Sequence, residues 1–474
     1  GPGEAHVQAA RAGRAGEGII QPAKLDAAEQ VGVCAACHGL AYPFETRWGG
    51  NRPYRPGDRY EEAFLPLLRR RESAPYTSIT HADHTPSTGV MEYQGLVQSR
   101  CYLEGKATCI TCHDPHGGGR GAHALKVEAS SDDLCAGCHQ EIVASGRAHT
   151  HHPPDAPGGS CVDCHMPPTV QALGTRLATH AIDVPLPVNN LDFSVPDACS
   201  LCHADRGVKW AVKQYEKLWG SPEKKRRRRL ARMFVEQDPT ALARLLADEK
   251  ESSLLRADAA AALTRAEGPR AAGPLVAALG QGNPLLVRRY AADLLGSLGP
   301  GDGLPLEEQV KQFDELKAKG VMSALRQAQA EGPSVLRLGA AASLARLGTD
   351  DGLERLEELR QDPVLEAGYR LHLLLGKYDL YAQEMDEAAA AYQRVLDITP
   401  NNLTAIQDMG FIYFSTGRFQ EAHDLWMRGL ALIPDNEELK MKVHLAEDEI
   451  RKQKSAARQG DPALGETDHE GPLL

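Results

Sequence analysis

The chain has 474 residues, of which 42% are hydrophobic and 25% charged, and its formal net charge is −11. This length predicts two or three domains. No run approaches the roughly 18 consecutive apolar residues that span a bilayer, so we expect no membrane-spanning segment. The negative net charge argues against nucleic acid as a partner.

One signature, Cys-x-x-Cys-His, occurs five times between residues 34 and 203. Its spacing indicates covalent attachment of c-type haem. Two cysteines one turn apart form thioethers with one porphyrin, and the adjacent histidine ligates the iron as proximal ligand. We therefore expect five haem c groups in this chain. The thioether residues are Cys34, Cys37, Cys109, Cys112, Cys135, Cys138, Cys161, Cys164, Cys199 and Cys202, and the proximal ligands are His38, His113, His139, His165 and His203.

Other chemistries that use cysteine pairs explain this pattern less well. Zinc sites and redox dithiols contain Cys-x-x-Cys, but neither requires a histidine directly after every second cysteine. A disulfide framework does not require regular pairs. Cys101 is the one cysteine outside the motifs, and we expect it to be a small half-buried residue.

Residues 1–205 are rich in Gly, Pro, His and Cys, which predicts short helices separated by long turns. Such a segment cannot bury enough apolar side chain to offset its conformational entropy. The haems should therefore form its core.

This segment also holds nine histidines outside the motifs, whereas the remainder of the chain holds four. An iron with a second protein ligand transfers electrons, whereas one with an open sixth position can bind a substrate. Met166 is too close to its own His165 to be that ligand. The candidate distal ligands are His116, His180, His152, His84, His149, His6, His151, His81 and His123.

After residue 205 the pattern becomes helical. A connecting helix is predicted from Arg206 to Trp219, with Gly220 placed to end it. The basic run from Lys224 to Arg229 predicts a solvated first helical turn, and docking to an acidic partner or to haem propionates is the alternative.

Three alanine-rich segments, each led by an arginine, echo one another within residues 206–368. Arg256, Arg288 and Arg337 lie 32 and then 49 residues apart. This pattern resembles HEAT repeats, with an insertion around residues 300–320.

Residues 369–453 show a clearer repeat. Gly376, Ala388, Tyr392 and Pro400 recur 34 positions later as Gly410, Ala422, Trp426 and Pro434. This is the tetratricopeptide period, so we predict two repeats followed by a capping helix over residues 437–452 and a disordered tail over 454–474. The predicted fold class is mainly α: an N-terminal multihaem cytochrome c domain with little regular structure, followed by an α-solenoid.

Several short segments resemble multihaem c-type cytochromes of the nitrite reductase and hydroxylamine oxidoreductase superfamily. They are Leu96-Val97-Gln98-Ser99, Asp114-Pro115-His116, Cys164-His165-Met166-Pro167 and Asp197-Ala198-Cys199. The resemblance implies that His116 ligates a neighbouring haem and that His180 is a distal ligand. Independently of the resemblance, we expect the cluster His149-Thr150-His151-His152 to supply one or two ligands.

The resemblance has consequences for location and for the start of the chain. Members of this group are generally secreted or periplasmic electron-transfer proteins, so we expect a periplasmic or extracellular bacterial protein. Gly1 to Val7 resembles the sequence that directly follows a haem motif, and the first thirty residues lack the charged start and apolar core of a signal peptide. We therefore expect a truncated N-terminus, with further haems upstream of residue 1.

Electron transfer is the favoured function, with redox proteins, other cytochromes or further copies of this chain as partners and the helical repeats as a docking region. One alternative is an enzyme that reduces or oxidises a small nitrogen or sulfur oxyanion at a five-coordinate haem, with Arg100, Tyr102 and Lys106 near the second motif. Related nitrite reductases replace one motif histidine by lysine, and this chain does not. The other alternative is a filament subunit.

Overall fold

The computed structural model describes residues 3–14, 16–43, 54–66, 79–115, 124–129, 131–172, 174–300 and 304–459. Helices dominate these residues, with two small antiparallel sheets of two strands each. The predicted mainly α fold class is confirmed. The described residues up to 352 form one compact unit, and those from 353 form a second.

Within the described residues, no helix combines the length and apolar character needed to cross a membrane.

The described residues among the first 205 form mostly short helices because glycine and proline interrupt them frequently. Ala41 pairs with Pro66 in the first sheet, and Val170 pairs with Leu177 in the second. The helices are α1 Glu4–Arg11, α2 Ala27–His38, α3 Tyr60–Ala63, α4 Glu92–Leu96, α5 Arg100–Leu103, α6 Cys109–Cys112, α7 Asp133–Ala136, α8 Gln140–Ser145, α9 Arg147–Thr150, α10 Cys161–His165, α11 Pro187–Phe193 and α12 Ala198–Cys202, and the strands are β1 Ala41–Pro43, β2 Phe64–Pro66, β3 Val170–Ala172 and β4 Thr175–Leu177.

Longer helices complete the first unit. Gly220, with φ of 80°, ends the first of them as the sequence predicts. Leucine and alanine side chains of the later helices form one continuous hydrophobic core. These helices are α13 Val208–Trp219, α14 Arg226–Glu236, α15 Pro239–Ala247, α16 Ser253–Glu267, α17 Ala272–Leu279, α18 Leu285–Gly296, α19 Leu306–Ala318, α20 Val321–Glu331 and α21 Ser334–Arg346.

The three repeated arginines make the same contact. In each case the guanidinium Nε donates to a carbonyl at or near the C-terminal end of the preceding helix, where such carbonyls lack an intrahelical partner. The structure therefore has helix pairs α15–α16, α17–α18 and α20–α21, and α19 lies in the extra length before the third pair. The contacts are Arg256 to Leu246 at 2.9 Å, Arg288 to Leu279 at 3.1 Å and Arg337 to Gln329 at 3.2 Å.

Small residues let α18 and α21 approach closely. A Cβ placed on Gly296 would come within 2.7 Å of three Ser343 atoms. The Ser343 hydroxyl donates to the Ala292 carbonyl at 2.9 Å. The small residues of these segments therefore determine the helix spacing.

The prediction of a solvated basic run is wrong for its central residues. Arg227 and Arg228 are buried in the first turn of α14, and Arg226 is only partly exposed. Carboxylates compensate their charges: Arg227 pairs with Asp183 at 2.8 Å, and Arg228 with Asp192 at 2.6 Å. The sequence did not reveal this because those carboxylates lie more than 30 positions away.

The second unit contains the predicted tetratricopeptide pairs. Gly376 faces the Tyr392 ring and Gly410 faces the Trp426 indole, so each glycine lies where the two helices of a pair meet. The last helix continues to Gln459, so the prediction of disorder from Lys454 is wrong for residues 454–459, and residues 460–474 lie outside the described residues. The helices are α22 Gly352–Glu358, α23 Pro363–Glu366, α24 Tyr369–Tyr381, α25 Met385–Ile398, α26 Leu403–Ser415, α27 Phe419–Leu432 and α28 Glu437–Gln459, with a 3₁₀ helix at Leu359–Gln361. In the first unit, 3₁₀ helices occur at Pro22–Lys24 and Gly268–Ala271.

Candidate functional site

Each Cys-x-x-Cys-His motif lies on or directly after a helical turn. The first motif ends α2, and the other four coincide with or overlap α6, α7, α10 and α12. Residues three apart share one helical face, so both thiols of a motif can reach one porphyrin.

Polar residues start these turns. Thr108 and Ser160 form capping boxes with Thr111 and Asp163, and the Asp197 carboxylate accepts from the Ser200 amide. All eleven cysteines lie in described residues, and none forms a disulfide.

Three motif histidines face a second histidine from elsewhere in the chain. The ring centroids of His113 and His180 are 6.4 Å apart with planes 22° from parallel. His165 and His149 lie at 6.2 Å and 6°. His203 and His152 lie at 6.1 Å and 35°.

These separations fit a haem iron between the two rings. Metal–imidazole bonds of about 2.0 Å from opposite sides place the two ring centroids about 6.3 Å apart. Direct face-to-face stacking would bring the rings closer, to about the 3.5–4.0 Å of carbon contacts. The residues present therefore suit a haem with two histidine ligands at the second, fourth and fifth motifs.

Two of these histidines have a ring nitrogen that is held by a hydrogen bond. His165 Nδ1 lies 3.0 Å from the Asp183 carbonyl, and His152 Nδ1 lies 2.7 Å from the Thr150 carbonyl. Such a bond to one ring nitrogen orients the imidazole and leaves the other for the metal. Burial lowers the pKa of His165 and of His180, which favours the neutral form that ligates iron.

His38 and His139 differ from the other motif histidines. Among the described residues, no ring contact pairs either of them with a second histidine. His38 Nδ1 instead lies 3.7 Å from the Glu92 carboxylate. The candidates His116 and His123 lie outside the described residues.

The remaining distal candidates have other neighbours in the structure. His84 is buried, with Nδ1 2.5 Å from the Asp258 carboxylate, and its ring contacts Phe234. His81 is largely buried as well, and this burial lowers its pKa. Their roles as iron ligands stay predictions.

Two more candidates lie closer to the surface. The His151 ring meets the edge of Trp219 at 5.0 Å, and His6 Nδ1 lies 3.1 Å from the Glu17 carbonyl. For these two residues as well, a role as iron ligand stays a prediction.

Neighbouring motifs approach one another in chain order. The Cys34 and Cys109 side chains are close neighbours, which brings the first and second motifs together. Cys135 and Cys161 do the same for the third and fourth. The other consecutive motifs are also close: Cys112 of the second motif lies near Cys135 of the third, and Cys164 of the fourth lies near Cys202 of the fifth.

Cys101 has the half-buried position that the sequence predicts. Burial raises the pKa of its thiol, which keeps it protonated and unreactive.

The three residues proposed for an oxyanion site have other partners. The Arg100 guanidinium contacts Glu104 at 3.0 Å and Glu251 at 3.1 Å. Lys106 is exposed and donates to the Leu103 carbonyl at 3.2 Å. Burial raises the pKa of Tyr102 to about 12.

Helix α13 contributes two aromatic side chains that the sequence analysis did not single out. The Trp210 ring lies 4.9 Å from the His203 ring, and the Trp219 indole donates to the His149 carbonyl at 3.0 Å. The sequence signal that could have indicated these contacts is the presence of two tryptophans on the first helix after the last motif.

Comparison with protein families finds three matches. Residues 103–144 match the doubled CXXCH motif, residues 148–238 match cytochrome c552, and residues 380–443 match the tetratricopeptide repeat. The chain carries c-type cytochrome domains and a tetratricopeptide region. The predicted c-type haem motifs within residues 103–238 and the predicted tetratricopeptide region are thereby confirmed.

Among solved structures, a crystal structure of the outer cell wall cytochrome OcwA is similar, with a TM-score of 0.33 and 16% sequence identity over 63% of this chain and 68% of that chain. A search of curated proteins finds no match.

Proposed function

We propose that this protein transfers electrons along a chain of five c-type haems, one at each Cys-x-x-Cys-His motif. The observation that carries the proposal is the approach of consecutive motifs, from the neighbouring Cys34 and Cys109 at one end to the neighbouring Cys164 and Cys202 at the other. Cofactors attached at these cysteines are close neighbours, and tunnelling between metals is efficient only over short distances.

The bound haem supplies an iron that alternates between ferric and ferrous states. The protein's own residues hold it. The motif cysteines would hold the porphyrin, and the histidine pairs at three motifs would ligate its iron, which would keep a substrate from binding to that iron. This arrangement suits electron transfer.

We assign the helical regions to docking and assembly. Stacked helical repeats offer extended surfaces to protein partners, and the tetratricopeptide region is the best-defined example here. We propose HEAT-like repeats in residues 206–368, redox proteins as partners, and a periplasmic or extracellular location, because haem is attached to such motifs outside the bacterial cytoplasm.

Haem count and conduction test the proposal. The intact mass of the purified chain should exceed the polypeptide mass by five haems. The current through a protein film should then depend on where a haem is missing. We expect Cys135→Ala/Cys138→Ala, which removes the middle haem, to reduce the current far more than Cys199→Ala/Cys202→Ala, which removes an end haem.

Both variants lose one haem, so haem number is matched between them. Equal currents in the two variants, or a mass that shows fewer than five haems in the unaltered chain, would contradict the proposed wire.

A further inference from the structure

Arg227 is deeply buried although it belongs to the basic run from Lys224 to Arg229. Its side chain is 1% exposed in the first turn of α14. Its Nε donates to the Asp183 carboxylate at 2.8 Å, and its Nη1 donates to the Asp83 carbonyl and to Gln98 Oε1, both at 3.1 Å. The guanidinium therefore joins α14 to two separate segments of the cytochrome region.

Asp183 connects this guanidinium to an iron ligand. Its backbone carbonyl is the partner of His165 Nδ1 at 3.0 Å, and its side-chain Oδ1 accepts from the Val184 amide at 2.9 Å. The side chain of Asp183 thus binds Arg227, and its main-chain carbonyl binds His165. Arg227, Asp183, Cys164 and His165 all line one cavity.

We propose that Arg227 is a positioning residue for His165 and raises the reduction potential of the haem at the fourth motif. This inference rests on the proposed attachment of a haem there. Ferric haem carries one more positive charge than ferrous haem. A fixed cation held in a poorly solvated site near the iron therefore destabilises the ferric state.

Other charged side chains near this cavity also influence the reduction potential of this haem. Arg226 shares Asp183, at 3.5 Å, and places its stronger pair on Glu251 at 2.5 Å. The Asp83 and Asp197 carboxylates also line the cavity, and each accepts hydrogen bonds from neighbouring polar groups. Because Arg227 neutralises Asp183, its removal also exposes the iron to that carboxylate.

Two substitutions should therefore shift the potential in opposite directions. Arg227→Met removes the cation. At a fixed ambient potential, the ratio of ferric to ferrous haem at this motif should rise about tenfold, which corresponds to a reduction potential lowered by about 59 mV. Asp183→Asn removes the anion and keeps the backbone carbonyl that binds His165. It should therefore lower the ratio of ferric to ferrous haem. Arg227→Lys keeps the charge and should give the smallest change.

The measurement is a redox titration followed by low-temperature electron paramagnetic resonance, which resolves individual low-spin haems. The His149→Ala variant identifies the low-spin signal of the haem at the fourth motif, because that signal should disappear when the iron loses its second ligand. Arg229→Met is the matched control, since Arg229 is exposed on the same helix. It should leave every component unchanged.

Opposite shifts confined to one component support the inference. Shifts in the same direction, shifts spread equally over all components, or no shift overturn it. If Arg227→Met does not fold, Asp183→Asn and Arg227→Lys decide by the same criteria. Peptide mass analysis separates the two proposals: an unmodified Cys161–Cys164 peptide contradicts the haem itself, whereas a haem-bearing peptide with unmoved potentials contradicts only the role of Arg227.

Discussion

The imidazole of His149 lies 6.2 Å from that of His165, and the two ring planes are 6° from parallel. His165 follows the fourth cysteine pair, whereas His149 belongs to α9, before that pair in the chain. The separation is that of two ligands on opposite sides of one iron.

Replacing His149 by alanine should convert one haem from low spin to high spin, because the iron at the fourth motif then has one protein ligand. Electron paramagnetic resonance of the oxidised protein would show one new high-spin signal and the loss of one low-spin signal. His151→Ala is the control, since that ring contacts Trp219. A change in His151→Ala without one in His149→Ala would refute the pairing.

Removing the haems should unfold the cytochrome region and leave the tetratricopeptide region folded. We expect a variant with all ten motif cysteines replaced by alanine to exchange its amide hydrogens rapidly over residues 4–203, because short interrupted helices cannot offset their conformational entropy. Helices α24 to α28 should stay protected, since they have their own cores. Cys101→Ala, which spares the motifs, should exchange like the unaltered protein. Slow exchange of residues 4–203 in the haem-free variant, or native helix content by circular dichroism, would show that the haems are not the core.

The two tetratricopeptide glycines should differ in their tolerance of alanine. A Cβ on Gly410 would lie 2.3 Å from the Trp426 indole nitrogen, whereas one on Gly376 would lie 3.2 Å from the Tyr392 ring. Overpacking costs about 1–3 kcal/mol, and replacing helical glycine by alanine gains about 1 kcal/mol. Thermal unfolding should therefore show Gly410→Ala destabilised by about 1 kcal/mol and Gly376→Ala nearly neutral. Equal effects would argue against this packing.

Asp379 should make the second unit less stable as pH rises. Burial, followed by the charges of Glu357 and Glu384, raises the pKa of this carboxyl to about 6 from 3.8. The folded state therefore holds a proton that the unfolded state releases, and the free energy of unfolding falls as pH rises from about 4 to about 6. Asp379→Asn should flatten that dependence in denaturant titrations. Asp397→Asn, at an exposed position of α25, should retain it, and an unchanged slope in Asp379→Asn would contradict the assignment.

Much of the site was predictable because its chemistry is local. Cys-x-x-Cys-His places two thiols and an imidazole within five residues, so the sequence alone predicts which residues attach the haem and which ligate its iron. The tetratricopeptide pairs were predictable for a related reason, since contacts such as Gly376 with Tyr392 recur at a fixed period of 34 residues.

Partnerships between distant residues were not predictable. The resemblance placed His180 after the fourth motif without saying which iron it serves, and the structure sets it opposite His113 of the second motif. The basic run was predicted to be solvated, yet Arg227 is buried on Asp183. In both cases the partner is far away in the chain.

By itself, the sequence determined the cysteine and histidine motifs that we propose attach haem, because such attachment depends on spacing within one helical turn. Only the tertiary structure decided which histidines face each other, in what order the motifs meet, and which charges are buried. These depend on where the turns of the cytochrome region and α14 bring residues together, and local periodicity carries no information about such long-range contacts.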